Sequence, residues 1–322
     1  GLGIEAAYAG SHGVHLPTSS NQMNQLPGQY LSMGSALLTQ VNNPFYGLIT
    51  SGTLAAQTVA QGQLLRPYPH YTGYAVTAAG NRNSIYHSLQ TKLEKRFGRG
   101  ATLLAAYTFS KFISDTENVS SWTESNYGGG MFQTQDWYNL KAERALSQGD
   151  APHRLVLSYV LDLPVGKGKW LLGNVEGIAD KFISGWGVNG ITTFQSGFPI
   201  SVVMSSNLSN SYNGTIWRPN STGKSSALTG SAQSRLGKWF DTSAFTQPAS
   251  FTFGNVSRTL PDVRTAGINN FDLTVFKDTA LTERYKLQFR AEVFNLFNRV
   301  QFGYPGMSMG LPTFGVVSSQ AN

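Results

Sequence analysis

The sequence predicts an all-β fold: an antiparallel transmembrane β-barrel segment with about seven long strands, long extracellular loops and short periplasmic turns. Three observations carry this reading. Polarity alternates with period two along stretches longer than the ~5–6 residues of an ordinary soluble strand. Only 13% of the 322 residues are charged, while glycine numbers 35 and aromatics reach 12%; soluble domains carry about 25% charged residues. Short and long connections alternate between the strand-like stretches, as they do in outer-membrane barrels. No apolar run reaches the ~18 residues of a transmembrane helix, and barrel strands do not need one.

The first strand sets Leu2, Ile4, Ala6 and Tyr8 against Glu5, Ala7 and Ala9 and is expected to end between Gly10 and Gly13. A long outer loop rich in Asn, Gln, Ser, Gly and Pro follows, over about residues 16–82. The hairpin after it is the clearest signal. Leu89, Thr91 and Leu93 share one parity, and Gln90, Lys92, Glu94 and Arg96 share the other. Across a periplasmic turn at 97–100, Leu103, Ala105, Tyr107 and Phe109 face one way, while Thr102, Ala106, Thr108 and Ser110 face the other. Leu104 is an exception. A sheet greasy on one side and charged on the other needs lipid on one side and water on the other, which a barrel supplies.

A second outer loop covers about 115–151, and Leu155, Leu157, Tyr159, Leu161 and Leu163 mark a strand over 154–164. The periplasmic connection 164–185 carries Gly166-Lys167-Gly168-Lys169, then Ile178, Phe182 and Ile183 at the spacing of a short amphipathic helix. Strand pattern resumes over 186–203, and a third outer loop covers about 205–266. The last hairpin pairs 269–279 with 286–301 across a turn at 280–285. Phe271, Leu273, Val275, Leu287, Phe289 and Val293 form its apolar face; Asp272, Thr274, Gln288, Arg290 and Glu292 form its polar face. Residues 1–322 thus read as a single partial β-barrel domain. A strand-like start and an odd strand count lead to the expectation of a segment of a larger barrel.

The chain resembles the C-terminal barrel part of a TonB-dependent receptor of the Oar-like, acidobacterial type. The matching stretches include AYAGSHGVHL, VNNPFYGLI, NSIYHSLQTKLEKRF, NLKAERALSQGDAPHRLVLSYVLDLPVGKGK, GWGVNGITTFQSGFPI and LQFRAEVFNLFN, in the family's order. The resemblance implies a bacterial outer-membrane location and a barrel of about 22 strands around a plug domain. It also implies import of a large nutrient driven by the TonB complex. Plug, signal and TonB-contacting box are missing from these residues, so those partners would act through other parts.

Candidate site residues fall into two groups. Gln90, Lys92, Glu94, Arg96, Asp272, Gln288, Arg290 and Glu292 are expected to face the lumen, as a ladder of cross-strand ion pairs against a wet interior and a plug. Trp122, Trp137, Tyr138, Trp217 and Trp239 stand among amide and hydroxyl residues in the outer loops. They are candidate contacts for a large ligand, glycan or peptide, because rings bury area while amides fix orientation. The bland alternative is that these rings pack the loops together. Tyr107, Phe109, Tyr159, Trp186, Phe194, Phe198 and Phe297 are candidates for interfacial girdles facing outer-membrane lipid.

Cysteine is absent, which removes disulfides, thiolate metal sites and a cysteine nucleophile. His12 and His15 could share a metal only if the chain turns at Gly13, so no metal and no cofactor is expected. His153, next to Arg154, is expected to anchor a loop. The net charge of +7 is scattered, without the basic run that nucleic acid requires. No enzymatic activity is expected: the Gly-x-Ser-x-Gly elbow is missing, and Glu117, Glu124, Asp136 and Glu143 share a loop with nothing to pair them for hydrolysis. Gly166-Lys167-Gly168-Lys169 lacks phosphate-loop spacing and is expected at the membrane surface. Two other readings stay open: an outer-membrane adhesion or structural barrel without import, and a secreted soluble all-β carbohydrate-active protein.

Overall fold

A computed structural model describes every residue except 19, 20, 77, 78, 99, 118–132, 215, 283 and 322. Among the described residues, seven long strands form one sheet: β1 (Leu2–Leu16), β2 (Arg82–Phe97), β3 (Ala101–Ser114), β4 (His153–Asp162), β5 (Trp186–Gln195), β6 (Ile268–Ala280) and β7 (Lys286–Val293). They lie side by side in chain order, and every neighbouring pair is antiparallel. The two-residue strand Ala145–Leu146 adds to the outer end of β3. Among the described residues, β1 and β7 each leave one edge of the sheet unpaired. β4 and β5, at ten residues each, have the ~9–11 residues that a tilted strand needs to cross a bilayer.

The register makes one face continuous across all seven strands. Ile4 stands opposite Leu93, Leu93 opposite Ala105 and Ala105 opposite Leu157. Leu157 stands opposite Thr192, Thr192 opposite Phe271, and Leu273 opposite Val293. Each step preserves parity, so a one-residue slip anywhere would turn a whole strand over. Among the described residues, none of the buried hydrophobic side chains lies on a long strand. Instead Leu2, Ile4, Tyr8, Leu287 and Phe289 stand 57 to 70% exposed on this apolar face. A water-soluble sheet would bury such a face, at about 1.5–3 kcal/mol for each large side chain. Here the described residues place no second layer over it.

The true core lies in the connections on one end of the sheet. β1–β2, β3–β4 and β5–β6 are joined by long segments, whereas β2–β3 and β6–β7 are joined by short turns at the opposite end. Ile200, Val202, Trp239, Phe240, Phe245, Val256, Leu260 and Val263 of the β5–β6 connection pack with Met307 and Val317 from beyond β7. A second cluster joins Leu26, Leu31 and Leu37 of the β1–β2 connection to Tyr212, Phe251 and Phe253 of the β5–β6 connection. The long connections therefore form a folded outer layer.

Three boundaries differ from the sequence reading. β1 continues through Gly13 to Leu16, with a register shift after Gly13 and His15 in the left-handed region at φ 55. β5 stops at Gln195 rather than near 203. Gly197 lies against the Thr265 backbone with no room for a Cβ, Thr265 N donates to Phe198 O at 2.8 Å, and Ile200 and Val202 turn into the outer core. β7 stops at Val293, because Asn295 and Asn298 both adopt φ 48 and Asn295 N donates to Asp272 Oδ1 at 2.8 Å. Asparagine is among the residues that tolerate this conformation best. The expected short helix is present, over Gly177–Ile183.

Candidate functional site

Two surfaces carry the polar chemistry: the second face of the sheet and the junctions of the outer layer. All eight residues expected to line a lumen share the sheet face opposite the apolar one, since Glu5 pairs with Lys92, Lys92 with Ala106, and Asp272, Gln288, Arg290 and Glu292 keep the same parity through β6 and β7. Their charges neutralise locally. Lys92 Nζ lies 3.6 Å from Glu5 and 3.9 Å from Glu94, and Arg96 lies 2.8 Å from Glu94. Arg290 lies 3.4 Å from Glu292, and Gln288 donates to Asp278 at 2.9 Å. Asp272 accepts from Asn270 at 3.0 Å. Gln90 donates to Ser88 at 3.3 Å. On the central strands this face carries Thr102, Ala106, Ser158 and Asn189 together with larger side chains such as Leu104, Ile191 and Phe276. An open groove of about 310 Å³ lies along Gly1, Gly3, Glu5, Lys92, Glu94 and Arg96. Such exposed pairs are each worth at most ~1 kcal/mol, so they shape a wet surface more than they hold the fold.

The outer layer is held by buried ion pairs that sequence reasoning did not assemble. Arg218 and Glu143 pair with side chains only 3% and 1% exposed. Arg258 Nη1 donates to Glu117 Oε1 at 2.5 Å, while its Nη2 reaches Ser114 O at 2.7 Å and its Nε reaches Glu143 O at 2.8 Å. Arg264 Nη2 donates to Asp150 Oδ2 at 2.5 Å, and Asp150 Oδ1 accepts from Phe112 N at 2.6 Å. At the head of β2, Arg82 Nη2 reaches Thr134 at 2.7 Å. Three arginines of the β5–β6 connection thus hold three carboxylates of the β3–β4 connection. Burial pulls the Arg218 guanidinium below its usual value, and the Glu143 charge works against that pull. No local signal in the sequence links these partners, which lie 75, 141 and 114 positions apart.

The loop aromatics fare differently from one another. Trp137 sits where three connections meet: its Nε1 donates to Asn213 O at 3.0 Å and its backbone N donates to Gln25 Oε1 at 2.9 Å. Tyr138 is exposed, with its hydroxyl donating to Gln25 O at 3.1 Å; partial burial, Asp136 and Tyr68 push its phenol pKa up. Trp217 is half-buried. Trp239 corrects the expectation of a ligand contact: at 1% exposure it anchors the outer core, with Nε1 donating to Arg264 O at 2.7 Å and Arg235 stacked over its ring. Trp122 and Glu124 lie outside the described residues. Glu117 and Glu143 are each paired with an arginine, and Asp136 accepts from Gln25 at 2.7 Å.

On the apolar face, rings pair across neighbouring strands, midway along β1 and β3 as well as toward the strand ends. Tyr8 meets His87 at 2.5 Å, and Tyr107 meets His153 at 2.8 Å. Phe194 packs edge-on to Phe271, which packs edge-on to Phe297. At the opposite end Trp186 lies beside Lys277.

The family model described as an outer membrane beta barrel domain matches residues 1–322. No curated protein matches the chain, and no solved structure does.

Proposed function

The chain belongs to the outer membrane beta barrel domain family and lies in the bacterial outer membrane, and from that premise we propose that it forms the wall and outer loops of a TonB-dependent transporter importing a large nutrient. The observation that carries this reading is the charged polar face. A narrow barrel fills its interior with its own side chains, whereas a wide one faces water or a separate polar domain. The half-exposed ladder Glu5–Lys92–Glu94–Arg96 and the Arg290–Glu292 pair suit the second case. The same face would meet a plug domain, with the TonB complex supplying the pull. Glu117 and Glu143 are each committed to an arginine, which speaks against these two residues as the acid–base pair of a glycan hydrolase.

The test is accumulation of labelled oligosaccharides and peptides in cells with and without the gene. Accumulation that stops on dissipating the proton-motive force or deleting TonB, with surface binding retained, is the expected result. Surface binding with no energy-dependent accumulation of any cargo would replace transport by adhesion.

A further inference from the structure

The β4–β5 connection is unlike the other two connections at its end of the sheet, and it presents apolar groups that none of the described residues covers. Its Gly177–Ile183 helix buries none of its residues. Ile178 and Phe182, one turn apart and so on one face, are 76 and 70% exposed. In the turn before it, Trp170 and Leu172 are 78 and 61% exposed. These groups do not dangle. Gly166 N donates to Leu171 O at 2.8 Å and Leu171 N to Pro164 O at 2.9 Å, which closes the turn that carries Trp170. Trp186 Nε1 donates to Phe182 O at 2.9 Å, and Lys277 Nζ to Ser184 O at 2.6 Å. Both Trp186 and Lys277 belong to the apolar face, so the helix is fastened to the rim of the lipid-facing surface and continues it.

We propose that the β4–β5 connection is an interfacial anchor, which lays Ile178, Phe182, Trp170 and Leu172 into the headgroup–acyl boundary of the periplasmic leaflet. The occupant is phospholipid. Its chemistry follows from the arrangement: an indole and a phenyl ring beside aliphatic side chains suit the boundary between acyl chain and headgroup. Lys167 and Lys181 are exposed in the same connection, and their ammonium groups suit headgroup phosphate. Short periplasmic turns at this end place it at the inner leaflet. The inference rests on the barrel placement and is independent of what the barrel transports.

The chain has no cysteine, so single nitroxide labels can be set at Ile178→Cys, Phe182→Cys, Lys181→Cys and Leu93→Cys. The full-length protein is reconstituted in vesicles of outer-membrane phospholipid, and collisions with oxygen and with a water-soluble nickel chelate are compared. At 178 and 182 oxygen should win by about tenfold, the signature of a site below the headgroups, while Lys181→Cys should favour nickel. Nickel access at 178 and 182 equal to that at 181 overturns the anchor. Exclusion of both reagents there also overturns it, since a protein partner or a second copy would then be the cover. Leu93→Cys separates the two levels: oxygen-rich at 93 but nickel-rich at 178 and 182 removes only the anchor. Nickel access at 93 removes the barrel placement as well.

Discussion

At the Arg218–Glu143 pair both charges sit almost entirely out of water, so the cost of breaking it differs sharply from the cost of replacing it. Glu143→Ala leaves a buried guanidinium without its counter-charge, and should destabilise the outer layer by about 3–5 kcal/mol. Replacing both partners, as Arg218→Met with Glu143→Leu, should cost far less. Protease resistance of the loops and their thermal unfolding read the difference. By contrast Glu94→Gln, on the exposed ladder, should change stability by no more than ~1 kcal/mol. Asp262 gives the acid dependence. Burial alone would raise its carboxyl, but hydrogen bonds from Ser226 and Ser225 outweigh that and hold it below the ordinary value. A depressed folded pKa contributes stability above the unfolded value of about 3.9, lost as pH falls through the folded one. Asp262→Asn should therefore flatten the melting temperature of the outer layer below about pH 4.

Among the elements, the long strands were legible and the outer layer was not. Period-two alternation reports which face of a strand meets lipid, and it is local: Leu89, Leu93, Tyr107 and Phe109 declare their side without reference to any distant residue. Strand ends were less legible, because they depend on contacts made elsewhere. β5 ends where Gly197 meets Thr265, dozens of residues away. The pairing of Arg258 with Glu117 spans 141 positions, and no spacing rule links them. Trp239 shows the same limit, since an aromatic in a polar stretch reads alike whether it greets a ligand or seals a core. The faces themselves make a sharp prediction. Leu93→Arg, on the apolar face of β2, should cost ~2–4 kcal/mol on insertion into a bilayer, whereas Gln90→Arg should be nearly neutral. Urea titration of the variants refolded in vesicles measures both.

The whole molecule inverts the plan of a soluble protein. Its sheet has no buried hydrophobic core among the described residues, and its long connections hold two. Arg218, Arg258 and Arg264 tie the β5–β6 connection to the β3–β4 connection through ion pairs with Glu143, Glu117 and Asp150. The strand count has a further consequence. With seven strands alternating in direction, β1 and β7 run the same way, one fifteen residues long and the other eight. Joined directly, they would make a parallel seam, and two copies standing upright in one membrane would bring the same mismatch of direction to any shared edge. An unbroken antiparallel cylinder containing this sheet therefore requires an odd number of further strands. The first of these runs downward from the outer side along β1, and the last does the same along β7.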